Sequence, residues 1–278
     1  MSGRSIVDRK AGKGYGIIAG SLLLSLLLLS ACGDRHSSAF VIAGSTSVQP
    51  YVEILAEEYE RIHPGELIDI QGGGSSAGIQ AVESNTAEIG MSSRNLKEDE
   101  KHLWSIEITK DGLAVIVNPG NLVENLTLAQ ICGIFSGELT NWSELGGANA
   151  KIHVITREEG SGTRSAFEEM VMAGRRIDPR SIVQDSNGAV RQLVSDDIFS
   201  IGFISLGLVD IGEKPVKALK IGGVDPTRDN VVNGSYTLYR SFLLVAKERP
   251  EERIMRFIDF ICSPEGQQML ISEGLIPD

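Results

Sequence analysis

The chain has 278 residues, of which 42% are hydrophobic and 23% charged, and 37 Asp and Glu outweigh 26 Lys and Arg to give a net charge of −11. That acidic balance excludes the basic face that nucleic acid requires. Three cysteines without a CxxC pair, and four scattered His (His36, His63, His102, His153) without a ligand pair, exclude the usual metal spacings.

Residues 1–31 read as an address. Arg4, Arg9, Lys10 and Lys13 form a basic start, and an apolar stretch from Ile17 to Leu29 follows, too short and wrongly flanked for a membrane span. Leu29-Ser30-Ala31-Cys32 resembles the bacterial lipobox, which implies cleavage before Cys32 and a lipid on its thiol. Residues 32–39 are then a short polar tether. The leader carries four basic residues and one acid, so its removal lowers the net charge from −11 to −14. The remaining 247 residues suffice for two lobes.

From Phe40 onward, strand and helix patterns alternate. Phe40–Ala43 is a short apolar run, and residues 49–62 carry Val52, Leu55, Ala56, Tyr59 and Ile62 at helical spacing, with Pro50 in the first turn. Leu67–Gln71 alternates as a strand, Ile79 and Val82 mark a helix ending near Asn85, and Glu88–Met91 is another strand. Leu113–Val117 is strongly apolar and is stopped by Asn118-Pro119-Gly120. A second series follows: helix Leu128–Phe135, strand Ile152–Thr156, helix Ser165–Ala173, a helix from Ser186-Asn187-Gly188 through Leu193, and strands at Ile201–Ile204 and Val216–Ile221. The strand Leu243–Ala246 and helices over Glu252–Cys262 and Pro264–Ile271 close the chain. Residues 40–116 plus 242–278 are expected as lobe 1 and residues 117–241 as lobe 2, with crossover strands near 113–117 and 242–246 as the hinge. Cys132 and Cys262, assigned to different lobes, are read as buried thiols.

Three loops of Gly, Ser and Thr each run into a helix: Gly44-Ser45-Thr46-Ser47-Val48, Gly72-Gly73-Gly74-Ser75-Ser76, and Glu158-Glu159-Gly160-Ser161-Gly162-Thr163 behind Arg157. A helix N-terminus has N–H groups without an intrahelical partner and a partial positive charge, so it attracts anions. Glycine lets backbone approach a ligand, hydroxyls add donors, and the planar fork of Arg matches two oxygens of an oxyanion. Loops at the C-terminal ends of strands are where open α/β sheets bind ligands. Two such groups facing one cleft would hold a small oxyanion from both sides and close on it. Neutral donors suit an acidic protein, because they bind without a favourable bulk field.

These segments resemble those of the extracytoplasmic phosphate-binding lipoproteins of phosphate ABC importers, over nearly all of the mature chain. The marks are Ala43–Pro50, Gly72–Gly78, Ile89-Gly-Met-Ser-Ser-Arg94, Leu139-Thr-Asn-Trp142 and Arg157–Thr163. The resemblance implies an α/β, two-lobed type II periplasmic-binding-protein fold with no cofactor and no enzymatic activity. It implies inorganic phosphate and the importer's permease subunits as partners, a monomeric state, and a membrane anchor through Cys32 facing the periplasm or cell exterior. Site roles carry over to Thr46, Ser47 and the N–H of Val48, to Ser75, to Arg157 as the guanidinium ligand, and to Ser161, Gly162 and Thr163. Glu159 matches the acid that orients the Arg. Asn187 and Arg94 are supporting residues, read as a helix cap and as a solvated or lobe-bracing charge, and Trp142 is structural.

One position departs from the better-known branch. Where that branch has an Asp accepting the proton of bound phosphate, this chain has Ser93. A hydroxyl brings no charge, so the sequence leaves the choice between phosphate and sulfate open. A receptor for tungstate or a phosphoester is a further alternative, as is a sensor or adhesin built on the same fold. A phosphohydrolase using Ser161 is the enzymatic alternative, but no His is placed to activate that hydroxyl.

Overall fold

The computed structural model describes residues 39–210 and 215–276; the leader, Cys32 and most of the tether lie outside the described residues. Eleven strands and eight α-helices occupy the described residues in this order: β1 (Phe40–Gly44), α1 (Gln49–Ile62), β2 (Ile68–Gly72), α2 (Ser75–Glu83), β3 (Ile89–Ser92), β4 (Trp104–Val117), β5 (Asn125–Leu126), α3 (Leu128–Phe135), β6 (His153–Arg157), α4 (Gly162–Val171), β7 (Ile182–Gln184), α5 (Asn187–Asp196), β8 (Ser200–Ser205), β9 (Lys217–Ala218), β10 (Lys220–Ile221), α6 (Arg228–Val232), β11 (Tyr239–Ala246), α7 (Glu252–Cys262) and α8 (Pro264–Ser272). Among the described residues no helix is long and apolar enough to cross a membrane.

The main sheet runs β2-β1-β3-β11-β4-β8-β6-β7, with β9 added against β4. Its two flanks are parallel: β1 with β2 and β3 on one side, β6 with β7 and β8 on the other. Between them, β4 and β11 pair antiparallel and connect the flanks. This is the α/β, two-lobed arrangement expected, with long central strands passing from one lobe to the other.

Alternation along the central strands decides which core each side chain enters. Leu113, Val115 and Val117 join a core with Phe135, Trp142, Phe167 and Phe203, whereas Ala114 and Ile116 face Val190, Val194 and Ile204 on the opposite side of the sheet. A separate core holds Phe40, Val52, Leu55 and Tyr59 with Ile108, Phe242, Leu244 and Phe257. On β4 the change of core falls between Ile108 and Leu113, and at the start of β11 between Leu238, just before the strand, and Phe242. A bulge shifts the β4–β11 register between Phe242 and Leu243.

The helices follow their sequence signals. In α7, Ile254, Phe257, Ile258 and Ile261 form one buried stripe at spacings of three and four. Helix α3 opens with a reciprocal cap: Thr127 Oγ1 accepts from Gln130 N–H (3.2 Å), and Gln130 Oε1 accepts from Thr127 N–H (2.8 Å). Trp142 is buried in the core that holds Phe135 and Phe167, and its indole N–H donates to Phe199 O at 2.8 Å, a structural role as expected. Cys132 is buried, but Cys262 is exposed, contrary to expectation, because it ends α7 one residue beyond the apolar stripe.

Candidate functional site

Each Gly/Ser/Thr loop leads from the C-terminal end of a strand into a helix: β1 to α1, β2 to α2, and β6 to α4. The glycines are there for space. Gly44 has φ +138°, and a Cβ on it would stand 2.9 Å from Met91 N. Gly74, which precedes α2, has φ +89°. Gly162 opens α4 so close to the start of α2 and the end of β3 that a Cβ would overlap Ser75 Oγ and lie 2.6 Å from Ser93 Oγ.

The loops meet one another. Ser47 Oγ lies 2.8 Å from Thr163 Oγ1, Arg157 Nη2 donates to Thr46 Oγ1 at 3.3 Å, and Ser76 N–H donates to Gly160 O at 3.1 Å. Ser45, Ser47, Ser75, Ser93, Arg157, Ser161, Thr163 and Asn187 are all at most 2% exposed. Thus Thr46, Ser47, Ser75, Ser93, Arg157, Gly162 and Thr163, which are scattered along the chain, are brought into one cluster. Ser161 caps α4 through Arg164 N–H (3.2 Å), and the N–H groups of Gly162 and Thr163, first in that helix, have no intrahelical acceptor.

Counting hydrogens shows what the cluster can offer. Ser45 Oγ donates to Ser93 Oγ (2.9 Å), and Ser93 Oγ is 3.4 Å from Ser75 Oγ. Three hydroxyls need two hydrogens for these contacts and keep one to give away. Ser47 Oγ accepts from Asn187 Nδ2 (2.9 Å) and Arg240 Nη2 (3.1 Å), which fills both lone pairs. Ser47 therefore donates to Thr163, and the Thr163 hydrogen is left to give away. Both chains of hydroxyls end on a donor.

Arg157 is held along one edge. Its Nε donates to Glu158 Oε2 (3.0 Å) and Gln184 O (3.3 Å), and its Nη2 donates to Glu158 Oε1 (2.9 Å) and Asp185 O (3.0 Å). Nη1 is buried without a hydrogen-bond partner among the described residues. A buried guanidinium nitrogen without an acceptor is costly, so this atom is a donor to which an incoming oxygen could bind.

Four sequence expectations are corrected. The acid that orients Arg157 is Glu158; Glu159 is exposed, because the chain turns outward at the tip of the loop. The N–H of Val48 closes a turn on Ser45 O (3.1 Å) and is therefore already used. Asn187 is not the cap of α5, a role taken by Ser186; it is a buried link whose Nδ2 donates to Ser47 and whose Oδ1 accepts from Ser205 N–H (3.3 Å). Arg157 presents Nη1 and not its whole fork, since the other edge belongs to Glu158. Arg94 is a brace as expected: it is buried and paired with Glu100 at 2.7 and 2.8 Å. Although burial alone would raise the Glu100 carboxyl, the Arg94 guanidinium and the Lys97 N–H hold it below the ordinary range.

Sequence reading missed a pair on the central strands. Asp111 on β4 lies opposite Arg240 on β11, and Asp111 Oδ2 accepts from Arg240 Nε (3.1 Å) and Nη2 (2.9 Å) while Oδ1 accepts from Ser205 Oγ (2.7 Å). Burial pushes the Asp111 carboxyl up and the Arg240 guanidinium down from their ordinary values, and each charge opposes the other's shift. The one available signal was two opposite charges each placed beside a strongly apolar run.

A family model described as the PBP superfamily domain matches residues 30–265. The phosphate-binding protein PstS of Bacillus subtilis is 30% identical over 249 residues, covering 88% of this chain and 82% of that one. PstS of Borreliella burgdorferi is 30% identical over 268 residues, 91% of this chain and 95% of that one. Among solved structures, a putative phosphate ABC transporter substrate-binding protein from Clostridium perfringens with bound phosphate superposes with a TM-score of 0.82 at 43% identity, covering 87% of this chain and 100% of that one. An ABC-type phosphate transport receptor from Vibrio cholerae gives a TM-score of 0.71 at 38% identity, over 86% of this chain and 100% of that one.

Proposed function

Because the chain belongs to the PBP superfamily and, within it, to the PstS phosphate-binding proteins, we propose that it captures inorganic phosphate between its lobes and delivers it to an ABC importer. It is an extracytoplasmic binding protein and not an enzyme. The observation that carries this reading is that three loop-to-helix junctions meet in one buried cluster of hydroxyls, beside an Arg157 whose Nη1 is buried and has no partner among the described residues.

The proposed ligands are Arg157 Nη1, the hydroxyls of Thr46, Thr163, Ser75 and Ser93, and the α4 start at Ser161, Gly162 and Thr163; Ser47, expected as a ligand, has its one hydrogen committed to Thr163. Ser47 and Ser93 act chiefly by setting the hydroxyl hydrogens of their neighbours. The two lobes are taken to correspond to the two main cores, which change over near Asp111 and Arg240. We further propose a lipid on Cys32 that tethers a monomer to the membrane; the lipobox supports that reading.

A second reading has its own observation. Both oxygens of Glu158 accept from Arg157, and both oxygens of Asp111 accept from Arg240 or Ser205. Each carboxylate is engaged by a guanidinium, so on this reading the site is an oxyanion receptor without proton-based selection. Calorimetric titration of the mature protein, stripped of anion, with phosphate and then with phosphate in excess sulfate tests both. Tight binding that sulfate does not displace supports phosphate alone; equal displacement supports the second reading; binding of neither anion overturns both.

A further inference from the structure

We propose that Arg240 is a second guanidinium ligand of the captured anion, reaching it from the central strands while Arg157 reaches it from β6; the proposal rests on the oxyanion reading of the site. The two side chains are held in the same way. Each gives its Nε and Nη2 to a carboxylate, Arg157 to Glu158 and Arg240 to Asp111. Each also donates through Nη2 to one of two consecutive loop residues, Thr46 for Arg157 and Ser47 for Arg240. Each is left with a buried Nη1 that has no hydrogen-bond partner among the described residues. Arg240 is 6% exposed, and its guanidinium lies 5.4 Å from the centre of the Phe242 ring, which fixes its plane.

Two buried cations brought to adjacent residues repel each other, and their carboxylates cancel their charge only incompletely because these lie on the far edges. An anion placed between the two Nη1 atoms satisfies both orphan donors and relieves the repulsion. The second guanidinium also explains how the site dispenses with the acid that Ser93 replaces: it recognises the anion's charge with donors alone. Asp111 then serves as a positioning residue, holding Arg240 and, through Ser205 Oγ, joining β4 to β8.

The test uses the mature protein and the paired variant Arg240→Gln with Asp111→Asn, which removes both charges and leaves no buried ion unpaired. Phosphate affinity is measured by calorimetry, and circular dichroism and a thermal melt check the fold. The expected result is a folded protein that binds phosphate roughly 10- to 100-fold more weakly, the value of one charged hydrogen-bonding ligand. Binding within about twofold of the parent would make Arg240 a brace and overturn the proposal. Should the variant not fold, a crystal structure of the parent with phosphate decides: Arg240 Nη1 within about 3 Å of a phosphate oxygen supports the proposal, and a contact to protein alone refutes it. Failure of the parent to bind phosphate or sulfate would instead remove the oxyanion reading itself.

Discussion

Gly162 shows how a single missing side chain can set affinity. A Cβ there would overlap Ser75 Oγ and crowd Ser93 Oγ, which belong to the segments at the start of α2 and just after β3. Gly162→Ala is expected to leave the thermal midpoint without phosphate almost unchanged, because neither core touches it, and to weaken phosphate binding by at least about tenfold by holding the lobes apart. Unchanged affinity in a titration would mean that the lobes do not close on this residue. Arg157→Ala should cost more, about 3–5 kcal/mol of binding, since it leaves Glu158 and the anion unmatched in a buried site. Near-normal phosphate binding by that variant would overturn the site assignment. At this scale the hydroxyls, Gly162 and Arg157 were legible, because loop composition and the family pattern mark them together. The choice of Glu158 over Glu159 was not, since it depends on where the loop turns, and Arg240 was not, since its partner Asp111 lies 129 positions away and only strand pairing unites them.

At the scale of elements, periodicity located α1, α3 and α7 to the residue because each buries one clear stripe or carries a cap. It missed β7, three residues at the sheet edge with Ile182 and Val183 exposed, and α6, five residues held mainly by Thr227 as a cap. Neither has enough residues to show a period. It also shortened β4, because Trp104–Gly112 mixes charged with apolar residues where the strand passes from one core to the other. The connection after β3 shows how an element is pinned by charge. Arg94 is buried and its fork meets Glu100, which itself caps the turn at Lys97. Glu100→Gln should lower stability at neutral pH by about 1–3 kcal/mol, since a charged acceptor is lost beside a buried cation. The sign follows from the lowered Glu100 carboxyl: its contribution is present above the unfolded carboxylate value of about 4.3 and is lost as pH falls toward the folded value. Melts of both proteins should therefore differ at neutral pH and converge in acid. A constant difference across that range would exclude the charge as the cause.

At the scale of the molecule, capture and stability are linked. An anion that binds only the folded protein adds about 2.7 kcal/mol at one hundred times its dissociation constant. For a chain of this size that raises the melting midpoint by roughly 5–10 °C. Phosphate should produce this shift in the parent protein and not in Arg157→Ala, and differential scanning calorimetry reads both. The net charge, −11 for the whole chain and −14 without the leader, adds nothing to attraction, so raising ionic strength should slow capture little or even hasten it.

The bond from Ser76 N–H to Gly160 O joins main chain to main chain across the cleft. It uses no side-chain atom, and its formation does not depend on which anion is bound. It resists reopening for every cargo alike, so it lengthens the dwell time of the ligand without improving discrimination among ligands. Reopening must break this bond before the anion can leave.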